Sequence, residues 1–371
     1  MYYYAYHTTI NKLQQYELSF EEIMSGVLNT PTTVKDPIHV IRTIPIERLS
    51  NAMHEKYRNT INILSHWIEQ NSHIAYRTDD MSEFYRHFEV PKANGGTRPI
   101  DEPIYELKRL HQTLLAILQS FGPIESNNAY GYVQNRSIID AQKAHQRRNH
   151  KYFLAMDLHN FFGSCTEDWI KIQLQQIPFF AVWKLQNETT YNGFIHICCL
   201  KGVLPQGSPL SPWLTNQLMV PIDYTIQQYC IEHNITYTRY ADDMLFSANH
   251  RMSAIPLKVN QIISILSPLS INETKTKLTT NCGKNYHLGL LINKDNNITV
   301  GNKKKEIFRA QLTNFTHNHT TTTVEEAQSL LGLLNYYIQV EPTYFKNLLT
   351  KYNQKFTMNI EESLKTIIRT R

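Results

Sequence analysis

No two cysteines in this chain stand at metal-ligand spacing. The five present, Cys165, Cys198, Cys199, Cys230 and Cys282, form no CxxC pair. An odd, unpatterned set argues against a disulfide framework and a structural zinc site, and it fits a reducing compartment. Long apolar runs are missing too. The longest, such as Ile195–Leu200, are far too short to span a bilayer. The opening MYYYAYHTTINK lacks a basic segment followed by an apolar core, so no signal peptide is expected. There is no internal repeat and no low-complexity linker. The net charge is only +5, from 37 basic and 32 acidic residues, which hints at an anionic partner without proving one. Together these absences predict a soluble, cytoplasmic protein with no membrane partner.

What is present is ample for a core. The chain has 371 residues, 42% hydrophobic and 19% charged, enough for two or three small domains or one lobed domain. It holds 22 Tyr and 15 Phe. Some could stack on bases; core packing is the ordinary use for most. Residues 1 to about 75 read as helical and polar, ending in an amphipathic stretch around Tyr57–Ile68. Tyr2, Tyr3, Tyr4 and Tyr6 could stack on nucleic acid or prime synthesis through a hydroxyl. A docked or frayed terminus is the plain alternative.

From Phe84 the pattern changes. FEVPKANGGTRPIDEP predicts two short strands joined at Asn94-Gly95-Gly96. A helix over about Ile104–Phe121 follows from Leu107, Leu110, Leu114, Leu115 and Leu118 at helical spacing. A second helix starts near Ser137, a suitable N-cap, and runs to about Arg148. Tyr152–Met156 is a short apolar run, as for a buried strand, and it ends on Asp157. Helix resumes near Thr166. A Pro/Gly loop then enters a long helix at about Ser211. ITYTRYADDMLFSA predicts a hairpin with Ala241-Asp242 at its turn. A helix over about Pro256–Leu269, a hairpin turning at Lys294–Asn297, and a helical tail from Lys303, amphipathic through Leu330–Tyr352, complete the chain. This mixed order predicts an α+β fold, an antiparallel sheet with helices on one face.

Two acidic sites share one design. Asp157 ends an apolar strand, and Asp242 and Asp243 sit at a hairpin tip. A carboxylate held there is costly unless a cation or strong donors satisfy it. Three together repel, and a divalent metal relieves the repulsion. Hard oxygen ligands suit Mg²⁺. An acidic pair in a turn is by itself more often a solvated turn than a metal site.

Tyr240-Ala241-Asp242-Asp243 resembles the YxDD motif of reverse transcriptases. Asp157-Leu158-His159-Asn160-Phe161-Phe162 is similar to the first palm motif of that family. Leu204-Pro205-Gln206-Gly207-Ser208-Pro209 resembles its LPQGxP loop, and Lys92 with Arg98 in PKANGGTRPI its fingers hairpin. Ala129-Tyr130-Gly131-Tyr132 through Arg136-Ser137 resembles the segment before the palm, and His287-Leu288-Gly289 the primer-grip turn. The motifs stand in family order over about residues 85–315. By motif the nearest relatives are bacterial: retron, group II intron and retron-like defence enzymes.

The resemblance implies a right-hand polymerase with fingers, an antiparallel-sheet palm and a helical thumb. The divisions expected are a helical extension at 1–80, fingers at 81–150, palm at 151–300 with inserted helical elements, and thumb at 301–371. It implies two Mg²⁺ ions, with Mn²⁺ as a substitute, on Asp157, Asp242, Asp243 and the Leu158 carbonyl. Phe162 falls where the family places its steric gate against a ribose 2′-hydroxyl; a plain core Phe is the alternative. Lys92 and Arg98 would grip the incoming triphosphate. Gln206 would lie by its sugar and base, with Gly207 allowing close approach. Lys275 would act as general acid toward pyrophosphate, with Lys277 the competing choice. Leu288 and Gly289 would support the primer. Lys303, Lys304, Lys305 and Arg309 would contact template–primer phosphates in a salt-sensitive way; a solvated charge run is the alternative.

The implied activity is RNA-directed DNA synthesis from dNTPs. Its partners would be an RNA template, a DNA or RNA primer and a dedicated noncoding RNA, in bacterial antiphage defence, with a partner protein or a homo-oligomer open. The chain has His287-Leu288-Gly289 where retron enzymes generally have VTG, and no maturase, endonuclease or RNase H segment after the thumb, which points away from a mobile intron enzyme. Three other readings stay on the table. One is a template-independent or protein-primed polymerase making a repeat or homopolymer. Another is an inactive nucleic-acid-binding scaffold, and the last a palm-fold nucleotide cyclase, in which LPQGSP and the fingers hairpin have no role.

Overall fold

The structure, a computed structural model, describes residues 51–92, 95–120, 125–282 and 285–370. The Tyr cluster at 2–6 and Asn94 of the first turn lie outside them. Helix α1 (Asn51–Gln70) buries Tyr57, Ile61, Leu64 and Ile68, a stripe at helical spacing, and leaves its charged face in water. Strands β1 (Tyr85–Pro91) and β2 (Thr97–Pro103) pair antiparallel, with Val90 opposite Arg98. Helix α2 (Tyr105–Ser120) buries Leu107, Leu110, Leu114 and Leu118, while Leu115 is half-buried. Helix α3 (Ile138–Gln146) begins directly after Ser137. Strand β3 (Tyr152–Asp157) ends on its acidic residue as expected.

Helix α4 (Glu167–Leu174) is capped by Thr166, whose side chain accepts from Trp169 N. Helices α5 (Pro178–Gln186) and α6 (Glu188–Cys198) follow. Helix α7 (Leu210–Glu232) is buried on nearly every side. Strands β4 (Thr236–Tyr240) and β5 (Asp243–Ala248) flank the acidic turn. Helix α8 (Ile255–Leu266) stops three residues before the expected Leu269. Pro268 disfavours helical backbone at Ser267, which is extended instead (φ −157°, ψ 163°). Strand β6 (Lys277–Thr280) and the two-residue strands β7 (Leu291–Ile292) and β8 (Ile298–Thr299) come next. The tail holds four helices: α9 (Asn302–Asn318), α10 (Val324–Val340), α11 (Pro342–Phe356) and α12 (Ile360–Thr370). The amphipathic stretch divides at Glu341, where φ is −134° and Pro342 opens a new helix.

Four strands form one sheet in the order β4-β5-β3-β6. Backbone bonds run from Lys151 N to Ala248 O and from Leu158 N to Asp242 O, so β3 and β5 are antiparallel. The pairings of Lys151 O with Asn281 N and Asp157 O with Asn272 N set β6 antiparallel to β3. The α+β expectation holds.

The chain divides into two compact units: one of residues 1–137, 154–246 and 251–277, the other of 138–153, 247–250 and 278–371. In the first, Phe179, Phe180 and Trp183 of α5 pack with Phe194 and Trp213, and Tyr57 meets Phe179 edge-on. In the second, Phe308 of α9 meets Tyr337 of α10 and Phe345 of α11 edge-on. A capping box between Thr323 and Glu326 starts α10.

In the first unit the loop before α7 docks on β2. Asp101 N donates to Gln206 O (2.8 Å), and a side chain at Gly207 (φ +137°) would stand 2.6 Å from Asp101 O. The room that Gly207 leaves is therefore taken by the neighbouring strand. Gly207→Ala strains this docking, and it should lower stability by about 1–3 kcal/mol in chemical denaturation; an unchanged midpoint would refute the account.

Candidate active site

Three carboxylates collect at one end of the sheet. Asp157 is 5% exposed. Its carboxylate accepts from Lys275 Nζ at 2.9 Å on Oδ1 and 3.0 Å on Oδ2. Its carbonyl takes Asn272 N at 2.8 Å, and the next residue, Leu158, donates to Asp242 O at 3.0 Å. Ala241 turns the hairpin in left-handed backbone (φ 56°), a conformation uncommon outside glycine. Asp242 and Asp243 are half-buried at the tip.

The charges feel one another. Burial pushes the Asp242 carboxyl up, and Asp157 pushes it further, while Lys275 and Arg98 oppose the rise. Asp243 is pushed up to about 7 by burial, then by Asp242 and Asp157. The Lys275 ammonium is raised above its usual range, first by its hydrogen bond to Asp157. Lys275 is the lysine of the expected pair that reaches Asp157; Lys277 is exposed at the start of β6.

Among the described residues no three His, Cys, Asp or Glu side chains close on one point as a ready cage. The donor chemistry still fits Mg²⁺. Its sites pair one or two carboxylates with substrate phosphates rather than building a full protein cage. Asp242 and Asp243 carboxyls raised by burial and by neighbouring acids are groups that a cation would relieve.

The first hairpin brings Arg98 within electrostatic reach of Asp242 and of the Tyr132 phenol. Lys92 is exposed at the hairpin end, its amide bonded to Gly96 O (3.0 Å). Phe161 is buried and Phe162 half-buried, their rings 5.7 Å apart, so Phe162 is the one with a face toward solvent. Gln206 is half-buried beside β2.

In the second unit, His287 and Leu290 exchange both backbone bonds, closing a two-residue turn on Leu288 (φ 52°) and Gly289 (φ 79°). Positive φ at both positions is the geometry of a tight hairpin turn. Lys304 Nζ donates to Gly289 O at 2.7 Å, tying the basic run to that turn. Lys305 of the same run has partners within the protein. Its ammonium is 2.5 Å from Glu341 Oε2 and lies over the Tyr344 ring. Glu341 also takes Thr299 Oγ1 and Val300 N, so Lys305 serves the interior of the unit. Lys303 and Arg309 are exposed.

Sequence reasoning passed over Arg239, Asp223 and Asn216. Arg239, one residue before Tyr240, and Asp223 of α7 are both fully buried and paired at 2.8 Å. The available signal was an acid in the middle of an apolar helix and a base inside a β-prone run, each costly alone.

The family profile described as reverse transcriptase (RNA-dependent DNA polymerase) matches residues 90–327. The retron Ec83 reverse transcriptase of Escherichia coli is 25% identical over 294 residues, covering 75% of this chain and 90% of that one. The retron Ec86 reverse transcriptase of the same organism is 28% identical, covering 76% and 85%. The retron Mx65 reverse transcriptase of Myxococcus xanthus is 26% identical, covering 85% and 73%. Among solved structures, telomerase from Candida tropicalis in complex with a fragment of telomeric RNA aligns with a TM-score of 0.44 at 13% identity. The alignment covers 77% of this chain and 61% of that one.

The raised Asp243 carboxyl sets a pH dependence. Its folded value, about 7, lies above the usual 3.8, so the folded state holds a proton that the unfolded state releases. Stability from this group is therefore full at low pH and falls as pH rises through that interval. Asp243→Asn removes the loss. In chelator, its melting temperature should exceed the parent's at pH 8 and approach it near pH 4, read by calorimetry. A pH-independent difference would contradict the assignment.

Proposed function

Since the chain belongs to the reverse transcriptase family and is a retron-like RNA-directed DNA polymerase, we propose that it extends a 3′-hydroxyl with dNTPs at Asp157, Asp242 and Asp243. The observation that carries this reading is the convergence of Lys275 and Arg98 on those crowded carboxylates. Asp157, Asp242 and the Leu158 carbonyl would hold the metals, with Asp243 assisting. Two bound Mg²⁺ ions, or Mn²⁺ in their place, would supply activation of the attacking hydroxyl and charge neutralisation at the leaving pyrophosphate.

The protein's own groups do the rest. Lys92 and Arg98 on the β1–β2 hairpin clamp the triphosphate, Arg through paired donors and Lys as a point charge. Lys275 Nζ, leaving Asp157, hands its proton to the pyrophosphate oxygen. The Phe162 ring stands where a 2′-hydroxyl would lie and selects deoxynucleotides. Gln206 orders the sugar and base, and Gly207 keeps that loop against β2. The Leu288-Gly289 turn supports the primer, and Lys303, Lys304 and Arg309 meet phosphates, with Lys305 holding their helix in place. In these terms residues 81–150 serve as fingers, 151–300 as palm and 301–371 as thumb, after an extension at 1–80. The template is a dedicated noncoding RNA, and the setting is antiphage defence in the bacterial cytoplasm. No helix among the described residues is long and apolar enough to cross a membrane.

Primer extension on an RNA template tests the site. Asp242→Asn/Asp243→Asn should abolish incorporation with the fold intact by circular dichroism; residual parental activity would sink it. Phe162→Val should admit ribonucleotides that the parent rejects, read by the ratio of kcat/KM for rNTP and dNTP. In a salt titration of duplex binding, Lys303→Ala and Arg309→Ala should each lower the slope of log K against log salt by about one. Lys305→Met should leave the slope unchanged and lower the melting temperature.

A further inference from the structure

We propose that Asp223 and Arg239 are positioning residues for nucleotide addition, acting through the Ala241 turn that presents Asp242 and Asp243. The proposal rests on the polymerase reading above and assigns it a part that lies wholly in the interior.

Arg239 donates from Nε to Asp223 Oδ1 (2.9 Å) and Oδ2 (3.2 Å), and from Nη2 to Oδ2 (2.8 Å). From Nη1 it donates to Asn216 Oδ1 (3.2 Å) and to the Ala241 carbonyl (3.0 Å). That carbonyl belongs to the peptide plane leading into Asp242. Holding it fixes the direction in which the left-handed turn delivers the two carboxylates. Asp223 is itself held, since Tyr237 Oη donates to its Oδ1 at 2.8 Å.

The other side of the turn is gripped by the segment before α3. Arg239 N donates to Asn128 O (2.6 Å), and Tyr130 N donates to Arg239 O (2.7 Å). Asn216 Nδ2 donates to Gly131 O at 2.9 Å. Gly131 presses so closely that a side chain there would stand 2.6 Å from Ala241 N. Asn128 Nδ2 reaches Gln227 Oε1 (2.6 Å) and Tyr237 O (2.9 Å) further along α7. One polar stripe of α7, Asn216, Asp223 and Gln227, thus fastens both the β4–β5 hairpin and its flanking segment.

Stability alone is a poor reason for this arrangement. Apolar residues of similar volume often replace a buried ion pair without loss, whereas a half-removed pair is strongly destabilising. What an apolar pair cannot do is hold the Ala241 carbonyl. Asp223→Leu/Arg239→Met tests this directly. It should melt near the parent and keep KM for dNTP within about threefold, with kcat down about 100-fold, the scale of a misplaced reacting group. Half-saturating Mn²⁺, followed by electron paramagnetic resonance without substrate, should rise.

Arg239→Lys is the second variant. It keeps a cation opposite Asp223 and lacks the planar fork that reaches Ala241 O. It should show the same two losses even if the double variant fails to fold. Either folded variant with parental kcat and a parental Mn²⁺ midpoint overturns the proposal. A parent that extends no primer overturns the polymerase reading instead, and the Mn²⁺ midpoints then decide positioning alone.

Discussion

Mutual repulsion among Asp157, Asp242 and Asp243 is the constraint on which the first unit turns. A hairpin tip with two adjacent acids beside a strand ending in a third does not stay together unaided. Lys275 offsets part of the charge by taking both oxygens of Asp157. Protonation offsets another part, since the Asp243 carboxyl is pushed up to about 7. Arg98 contributes from the first hairpin. What remains is strain that a polyphosphate and its cations would relieve. In that sense the site is arranged for a charged visitor and is less settled without one.

The groups that were legible in the sequence were those whose local context announces them. Asp157 closes a short apolar run, and Asp242 and Asp243 interrupt β-prone sequence, so their places at a strand end and a hairpin tip followed from propensity. Motif order then gave the companions: Lys92 and Arg98 lie on the first hairpin and Gln206 on the loop before α7. The groups that stayed hidden are those whose meaning lies in a distant mate. Arg239 is one more β-strand residue until Asp223 of α7 packs beneath it. Lys305 is one of three consecutive lysines until Glu341 comes to it from the far end of α10. The helical sequence expected from Thr166 is there, but its division into α4, α5 and α6 was not legible, for a related reason. Pro178–Val182 is buried along one side and much of the other, so it shows no amphipathic period to read.

Glycine has two uses here that sequence pattern alone does not separate. Gly207 reads as a place for a ligand to come near the backbone, yet the near atom is Asp101 O. Gly131 reads as a loop residue, yet it lies against Ala241. In both cases the missing side chain lets one piece of backbone touch another, and so sets how the first hairpin and the acidic turn stand within their unit. Close approach of this kind is a property of the packed chain and leaves no local mark beyond the glycine itself.

The two cations beneath and beside the carboxylates differ in the way their tasks require. The Lys275 side chain is 61% exposed, so water screens its bond to Asp157 and the bond is weak enough to exchange. Under the proposed function, an arriving triphosphate would draw that ammonium away without disturbing the fold. Arg239 is fully buried with Asp223, where removing either partner strands a charge in a medium that cannot solvate it. Buried there, it holds the Ala241 carbonyl away from water. A replaceable cation on Asp157 and a permanent one under Ala241 let the carboxylates change partners while their backbone stays still. Under the proposed function, that combination, loose charge on a fixed frame, is what repeated addition of nucleotides at one point would demand.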